Sequence, residues 1–241
     1  RRTRWTQDSD YEKSKYKKLP VRNERRKHIS RCINNRYFYN EDCLLARPGH
    51  VVITDGVTDC ISLMKHGIPS ISPVTAKFRE QDHEKLFSLV RGLDRIYICQ
   101  DNEISRVGEN AAVGTANFLA EKGLDVRIVF LPLFDEQQKA RETLDEKFGI
   151  HEGIDPNELK KIEDALSPAD RKTKDKLKDD AKQDVNKYFQ KKSAGDFNEL
   201  LSAAKSPIHF SIESTTATSS STRYCGGYRA FRRWSRTTTS S

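Results

Sequence analysis

Strand-length apolar runs alternate with helix-spaced segments through the centre of this chain, and that alternation restricts the fold more than any other feature. The run 51–54 (VVIT) has the unbroken β-forming character of a strand covered on both faces. Residues 57–66 then place Val57, Cys60, Ile61 and Met64 at helical spacing, and Gly67 stands where a helix C-terminus needs a glycine. A short strand fits 69–72. Residues 80–91 give a helix with Leu86, Leu89 and Val90 on one side, and 95–99 (RIYIC) a third strand. Residues 105–122 give a small-residue helix through Ala111, Ala112, Ala116 and Leu119, and 126–131 a fourth strand closed by Pro132. The order βαβαβαβ predicts an α/β fold, with a parallel sheet of about four strands and helices on its faces.

The ends of these strands carry acids. The first stops on Asp55-Gly56, and Asp59 follows one helical turn later. The third leads into "ICQDNE", which holds Asp101 and Glu103 with Asn102 between them. Ligands of open parallel sheets sit outside the carboxyl ends of the strands, so acids from both places can converge on one edge. Gly56 lets the backbone turn where the helix begins. Carboxylates crowded together repel unless a hard cation lies among them, and oxygen ligands suit Mg²⁺, with Mn²⁺ as a substitute. A strand ending on Asp also suits a helix N-cap, and both roles stay open for Asp55.

Charge divides the chain into parts. Residues 1–36 carry 13 Lys and Arg against four Asp and Glu, a net +9, and residues 201–241 carry six against one, a net +5. The whole is +8, so residues 37–200 net −6. A basic arm or part of a preceding subdomain spans 1–48, the core 49–134, a charged helical insertion 135–181, a return to the core 182–206, and a disordered Ser/Thr/Arg-rich tail 207–241. In the insertion, Asp155-Pro156 and Ser167-Pro168 each read as an N-cap followed by proline at the first helical position. Lys13, Lys15, Lys17, Lys18, Arg22, Arg25, Arg26 and Lys27 in the arm suit a nucleic-acid backbone, with Tyr11 and Tyr16 placed to stack on bases. A solvated basic extension is the plainer reading of the same run.

The five cysteines make no C-x-x-C pair and the six histidines no metal-ligand spacing, so no zinc is expected. No apolar run approaches membrane-spanning length and no secretory signal opens the sequence, which points to a cytoplasmic protein.

The stretches "VITDGVTDCISLMKHGIPSISPVTAKF", "IYICQDNEISRVGENAA" and "GLDVRIVFLP" resemble the TOPRIM domain of bacterial-type primases, topoisomerases and some nucleases, and most of all its archaeal and viral primase-like branch. The family pattern is a strand ending in Glu-Gly-x-x-Asp, then a strand followed by Asp-x-Asp and a helix with Gly and Ala-Ala. Asp55-Gly56 with Asp59 matches the first part, and Asp101 and Glu103, with Gly108, Ala111 and Ala112 behind them, match the second. "KQDVNKYF" places Asp184 at a third family acid. The resemblance covers 49–134 and extends to 182–190.

It implies a Rossmann-like TOPRIM sheet and Mg²⁺-dependent nucleotidyl transfer, with RNA primer synthesis on a single-stranded DNA template from nucleoside triphosphates as the concrete form. It further implies replication proteins such as a helicase as partners. Asp101, Glu103 and Asp184 would hold the metal. Asp55 would serve as general acid/base, and Asp59 as a further ligand or outer contact. Asp55 stands where the family has Glu, and Glu103 where it has Asp. Both keep the charge and change the reach, which implies weakened catalysis. A TOPRIM nuclease and a catalytically degenerate DNA-binding module are the alternatives.

Overall fold

The computed structural model describes residues 37–73 and 80–210. The chain divides into two compact units, Arg1–Phe38 and Tyr39–Ser241. The basic arm residues Lys13 through Lys27 lie outside the described residues, as does the tail from 211 onward.

The centre of the second unit is a four-stranded sheet, all parallel, in the order β2-β1-β3-β4, where β1 is His50–Thr54, β2 Ser70–Ile71, β3 Arg95–Cys99 and β4 Val126–Val129. Helices α1 (Val57–Lys65), α2 (Glu80–Val90) and α3 (Val107–Glu121) alternate with the strands. The fold is therefore α/β and Rossmann-like, as the resemblance implies. Val51, Val52, Ile53, Ile96 and Ile98 are fully buried, because crossover helices cover both faces of a parallel sheet. Each such side chain stabilises the fold by about 1.5–3 kcal/mol relative to exposure.

Both edges of the sheet are closed by single antiparallel bridges. Tyr39 and Ser72 exchange backbone bonds of 2.8 and 3.1 Å beside β2, and Ile128 and Lys205 exchange bonds of 2.7 and 3.2 Å beside β4. Pairing there satisfies backbone groups that an open edge would offer to another chain.

The helical spacing of α1 points to a face through Val57, Cys60, Ile61 and Met64; Cys60 is fully buried, but Ile61 and Met64 are 46% and 42% exposed. Asp59, Cys60 and Leu63 are the residues turned inward. The helix has apolar side chains on more than one side, and the choice of face follows the sheet edge rather than the count of apolar residues. Gly67, at φ 73°, makes the left-handed turn that ends the helix and returns the chain to β2.

After β4 come α4 (Asp135–Phe148), α5 (Pro156–Ala165) and α6 (Pro168–Asp180). Both proline-marked starts are capped as the sequence indicates. Asp155 accepts from the amides of Asn157 and Glu158 at 2.8 and 3.3 Å, and Ser167 accepts from Asp170 at 3.2 Å. Ala140 and Leu144 of α4 form a second small core with Ile150, Ala181 and, from the loop after β3, Ile104, and Leu159 and Ile162 of α5 and Leu177 of α6 pack against it. Helices α7 (Val185–Phe189) and α8 (Ala194–Ala203) then bring Val185, Tyr188, Phe197 and Leu201 into one cluster with Val52, Tyr97 and Val129 of the sheet. Order continues past the boundary set at 207. Residues 207–210 are helical, and Phe210 is only 8% exposed.

Candidate metal centre

Strand order decides the position of the acids. β1 connects to β2 on one side but pairs with β3 on the other, which makes the β1/β3 border a topological switch point. Thr54 and Cys99 are register partners at the carboxyl end of that border. Asp55 follows the first by one residue and Asp101 follows the second by two. Their side chains and that of Asp59, from the first turn of α1, meet there. Each of the three supplies a carboxylate oxygen, and these oxygens lie within 4.8 Å of one another.

Local structure holds the three acids in different ways. Asp55 does not cap α1, since Gly56 is the N-cap residue and the cap receives no side-chain bond. Ser72 instead donates to the Asp55 carbonyl at 3.0 Å, and Thr54 donates to the Gly56 carbonyl at 3.1 Å. Gly56 is needed for space rather than for its backbone angle. Its φ of −98° is ordinary, but a Cβ there would stand 2.4 Å from Asp59 Oδ2. Asp59 is 5% exposed and accepts from Asn186 Nδ2 at 2.9 Å, while Ser62 donates to the oxygen of the same amide.

Asn102 fixes the other side. It exchanges backbone bonds of 2.8 and 3.0 Å with Gln183, and its side chain donates to the Leu131 carbonyl at 2.8 Å. Arg141 of α4 donates to Asn102 O at 3.1 Å, to Asn102 Oδ1 at 2.7 Å and to the Ala181 carbonyl at 3.3 Å. The loop after β3 is thus clamped to the segment leading into α7. That clamp brings Lys182 to Asp101, with which its ammonium forms an ion pair.

The electrostatics are those of crowded, half-desolvated carboxylates. Burial pushes Asp55 up to about 7, and repulsion from Asp101 adds to it while Lys182 pulls it back. Burial likewise pushes Asp59 up to about 7, with Asp101, Asp184 and Asp55 adding to the rise. Asp101 is also raised, since burial outweighs the pull of Lys182. Burial works against the charge of Lys182, but Asp101, Asp55 and Glu103 together outweigh it and raise the group above its usual range.

Glu103 and Asp184 are placed differently from the triad. Glu103 accepts from the Ser105 hydroxyl at 2.8 Å. Asp184 caps α7, accepting from the Lys187 amide at 2.8 Å, yet stays near enough to raise Asp59 and Asp101. The oxygens of Asp55, Asp59 and Asp101 are the set brought together among the described residues, and they can hold a metal ion. Three carboxylates and no nitrogen or sulfur donor fit a hard cation, whose charge would remove the repulsion.

Two residues of this site escaped the sequence reading. Lys182 opens the motif that marked Asp184 and precedes that acid by two positions, but nothing in the sequence set it apart from the other lysines. Asn186 was visible only as part of the motif that marked Asp184.

No family model and no curated protein matches the chain. Among solved structures, the zinc-binding and RNA polymerase domains of the Aquifex aeolicus primase are similar over 57% of this chain and 32% of that one, at 19% identity and a TM-score of 0.33. The chain spans about a third of that structure's length. A superposition so loose carries no argument, and the reading of the site rests on its own geometry. No helix among the described residues is long and apolar enough to cross a membrane.

Proposed function

We propose that this protein carries out Mg²⁺-dependent phosphoryl chemistry on nucleic acid, most specifically primase-like nucleotidyl transfer that builds an RNA primer on single-stranded DNA. The observation that carries the reading is the convergence of Asp55, Asp59 and Asp101 at the β1/β3 switch point, with oxygens within 4.8 Å. Two of these acids are raised to about 7 by burial and by their acidic neighbours. Bound there, Mg²⁺ or Mn²⁺ would neutralise charge on phosphate oxygens, which is the main demand of phosphoryl transfer.

The chain's own residues divide the work. Asp59, fixed by Asn186 and by the space over Gly56, is a rigid ligand. Asp101, clamped through Asn102, is a second. Asp55, whose carboxylate accepts backbone hydrogen bonds at Asp55 and Gly56, is a further metal contact or the candidate to accept a proton from an attacking hydroxyl. Glu103 and Asp184 flank the triad and extend its negative charge. The arm residues Lys13 through Lys27 are the proposed template contacts. Nucleoside triphosphates, template and a replicative helicase are the partners this reading calls for.

The test is incubation with single-stranded template, ribonucleotides and Mg²⁺ or Mn²⁺, with Asp101→Asn as control. New oligonucleotides lost in the control support primer synthesis. Shortened template would replace it with nuclease chemistry. Binding of template without either product would leave a DNA-binding module, a reading that the Lys182–Asp101 pair favours because it already neutralises one acid.

A further inference from the structure

Lys182 faces two ways. Its ammonium pairs with Asp101, whose side chain is only 10% exposed, while its own side chain remains 32% exposed. The same residue lines a cleft of about 290 Å³ between the loop after β3 and α6. Glu103, Ser105, Asp175, Lys178 and Asp179 line it as well. The triad itself does not line this cleft, and Lys182, paired with Asp101 on one side and lining the cleft on the other, is the residue that links them.

Charge sets an order of events there. Three acids and two lysines line the cleft, so an anion entering it meets net negative charge. One of those lysines is engaged by Asp101 and the other, Lys178, lies 3.6 Å from Glu163. A divalent cation on Asp55, Asp59 and Asp101 changes both conditions. It adds positive charge beside the cleft, and it takes over the carboxylate that holds Lys182. The backbone of Lys182 does not have to move, because Gln183 is pinned to Asn102, and Lys187 Nζ donates to the Lys182 carbonyl at 2.9 Å. Only the flexible four-carbon side chain has to swing.

We infer that Lys182 is a phosphate-binding residue held in reserve by Asp101: a divalent cation filling the triad releases its ammonium into the cleft against α6, where it binds the phosphate oxygens of the substrate. The metal enters first and the phosphate second. The helical insertion is then one wall of the substrate site rather than a spacer. This rests on the metal-centre reading of the triad and adds to it the group that meets the phosphate and the route by which it arrives. Nucleoside triphosphate and the phosphodiester backbone of single-stranded DNA share the chemistry, and separate arms of the experiment distinguish them.

The test uses the full, unaltered chain. Lysine acylation is mapped by mass spectrometry on the protein alone, with Mn²⁺, and with Mn²⁺ plus inorganic tripolyphosphate, ATP or a short oligodeoxynucleotide. Acylation of Lys182 should rise several-fold with Mn²⁺ and fall again in whichever phosphate arm is the ligand. A Lys182 reactivity that Mn²⁺ leaves unchanged overturns the inference. In parallel, titration calorimetry with Mn²⁺ on the parent and on Asp101→Asn reports the metal site itself. If the parent binds Mn²⁺, Asp101→Asn does not, and Lys182 reactivity stays flat, the inference alone fails. If the parent binds no Mn²⁺, both readings fail. Lys182→Met should bind Mn²⁺ at least as tightly as the parent, having lost a competing cation, and bind the phosphate ligand about 10- to 100-fold more weakly in its presence. Lys182→Arg should recover most of that loss. Equal phosphate affinity in parent and Lys182→Met, with Mn²⁺ bound to both, also overturns it.

Discussion

Asn186 donates its side-chain amide to Asp59 Oδ1 at 2.9 Å, across a sequence separation of 127 residues. The bond ties α7, which enters the fold after the whole insertion, to the first turn of α1. Ser62 completes it by donating to the other end of the same amide. Asp59 is therefore aimed by a residue that touches no other acid of the triad. Asn186→Ala should weaken Mn²⁺ binding about tenfold, as is usual when a group that orients a ligand is removed. Titration calorimetry checks this, and unchanged affinity would mean that Asp59 needs no support.

Gly56→Ala tests the packing from the opposite side. The backbone there is compatible with alanine, so the fold should melt within a few degrees of the parent. The added methyl would stand 2.4 Å from Asp59 Oδ2 and must displace that carboxylate. Loss of Mn²⁺ affinity by about tenfold or more, with circular dichroism unchanged, is the expected result.

Asp55 is shorter than the Glu that the resemblance implies, yet its oxygen already lies within 4.8 Å of the other two. Added length would carry the carboxylate past the place where the three oxygens meet. Asp55→Glu should therefore weaken Mn²⁺ binding. A gain in affinity or in nucleotidyl transfer would show that reach is the missing element.

Stability should depend on pH through the same acids. Asp55 and Asp59 are raised to about 7 from an ordinary value of 3.8, so between these values the folded chain holds protons that the unfolded chain releases. Their contribution is complete below the lower value and is lost as pH rises through the upper one. With chelator present, the melting temperature should fall across that window, and the fall should be shallower in Asp59→Asn. Mn²⁺ should raise the melting temperature more at about pH 8 than at about pH 5. Scanning calorimetry at both values decides it.

Arg141 should prove structural for the site although it belongs to the insertion. Its side chain is 10% exposed and donates to three acceptors on Asn102 and Ala181. Arg141→Ala should cost about 2–4 kcal/mol in denaturant unfolding, because buried acceptors lose a charged donor. Mn²⁺ affinity should fall with it, since Asn102 positions the loop that carries Asp101.

The alternation of strand and helix, the parallel sheet and the caps at Asp155 and Ser167 were legible in the sequence because each depends on neighbours a few residues away. The same holds for the acids at Asp55 and Asp101, whose distance from a strand end follows from local pattern alone. Which acids meet was a different matter. Strand order β2-β1-β3-β4 puts β1 beside β3, and this adjacency brings Asp55, Asp59 and Asp101 together while Glu103 turns to Ser105. Helical periodicity favoured Val57, Cys60, Ile61 and Met64 as the inner face of α1; Cys60 does face inward, but Asp59 and Leu63 accompany it in place of Ile61 and Met64. Lys182 and Asn186 reach the site because Asn102, Gln183 and Arg141 clamp segments that lie far apart along the chain. Hydrogen bonds between remote segments leave no periodic trace in the sequence, so the candidate acids could be read from the chain, but which of them meet, and the partners that aim and neutralise them, were decided by tertiary packing.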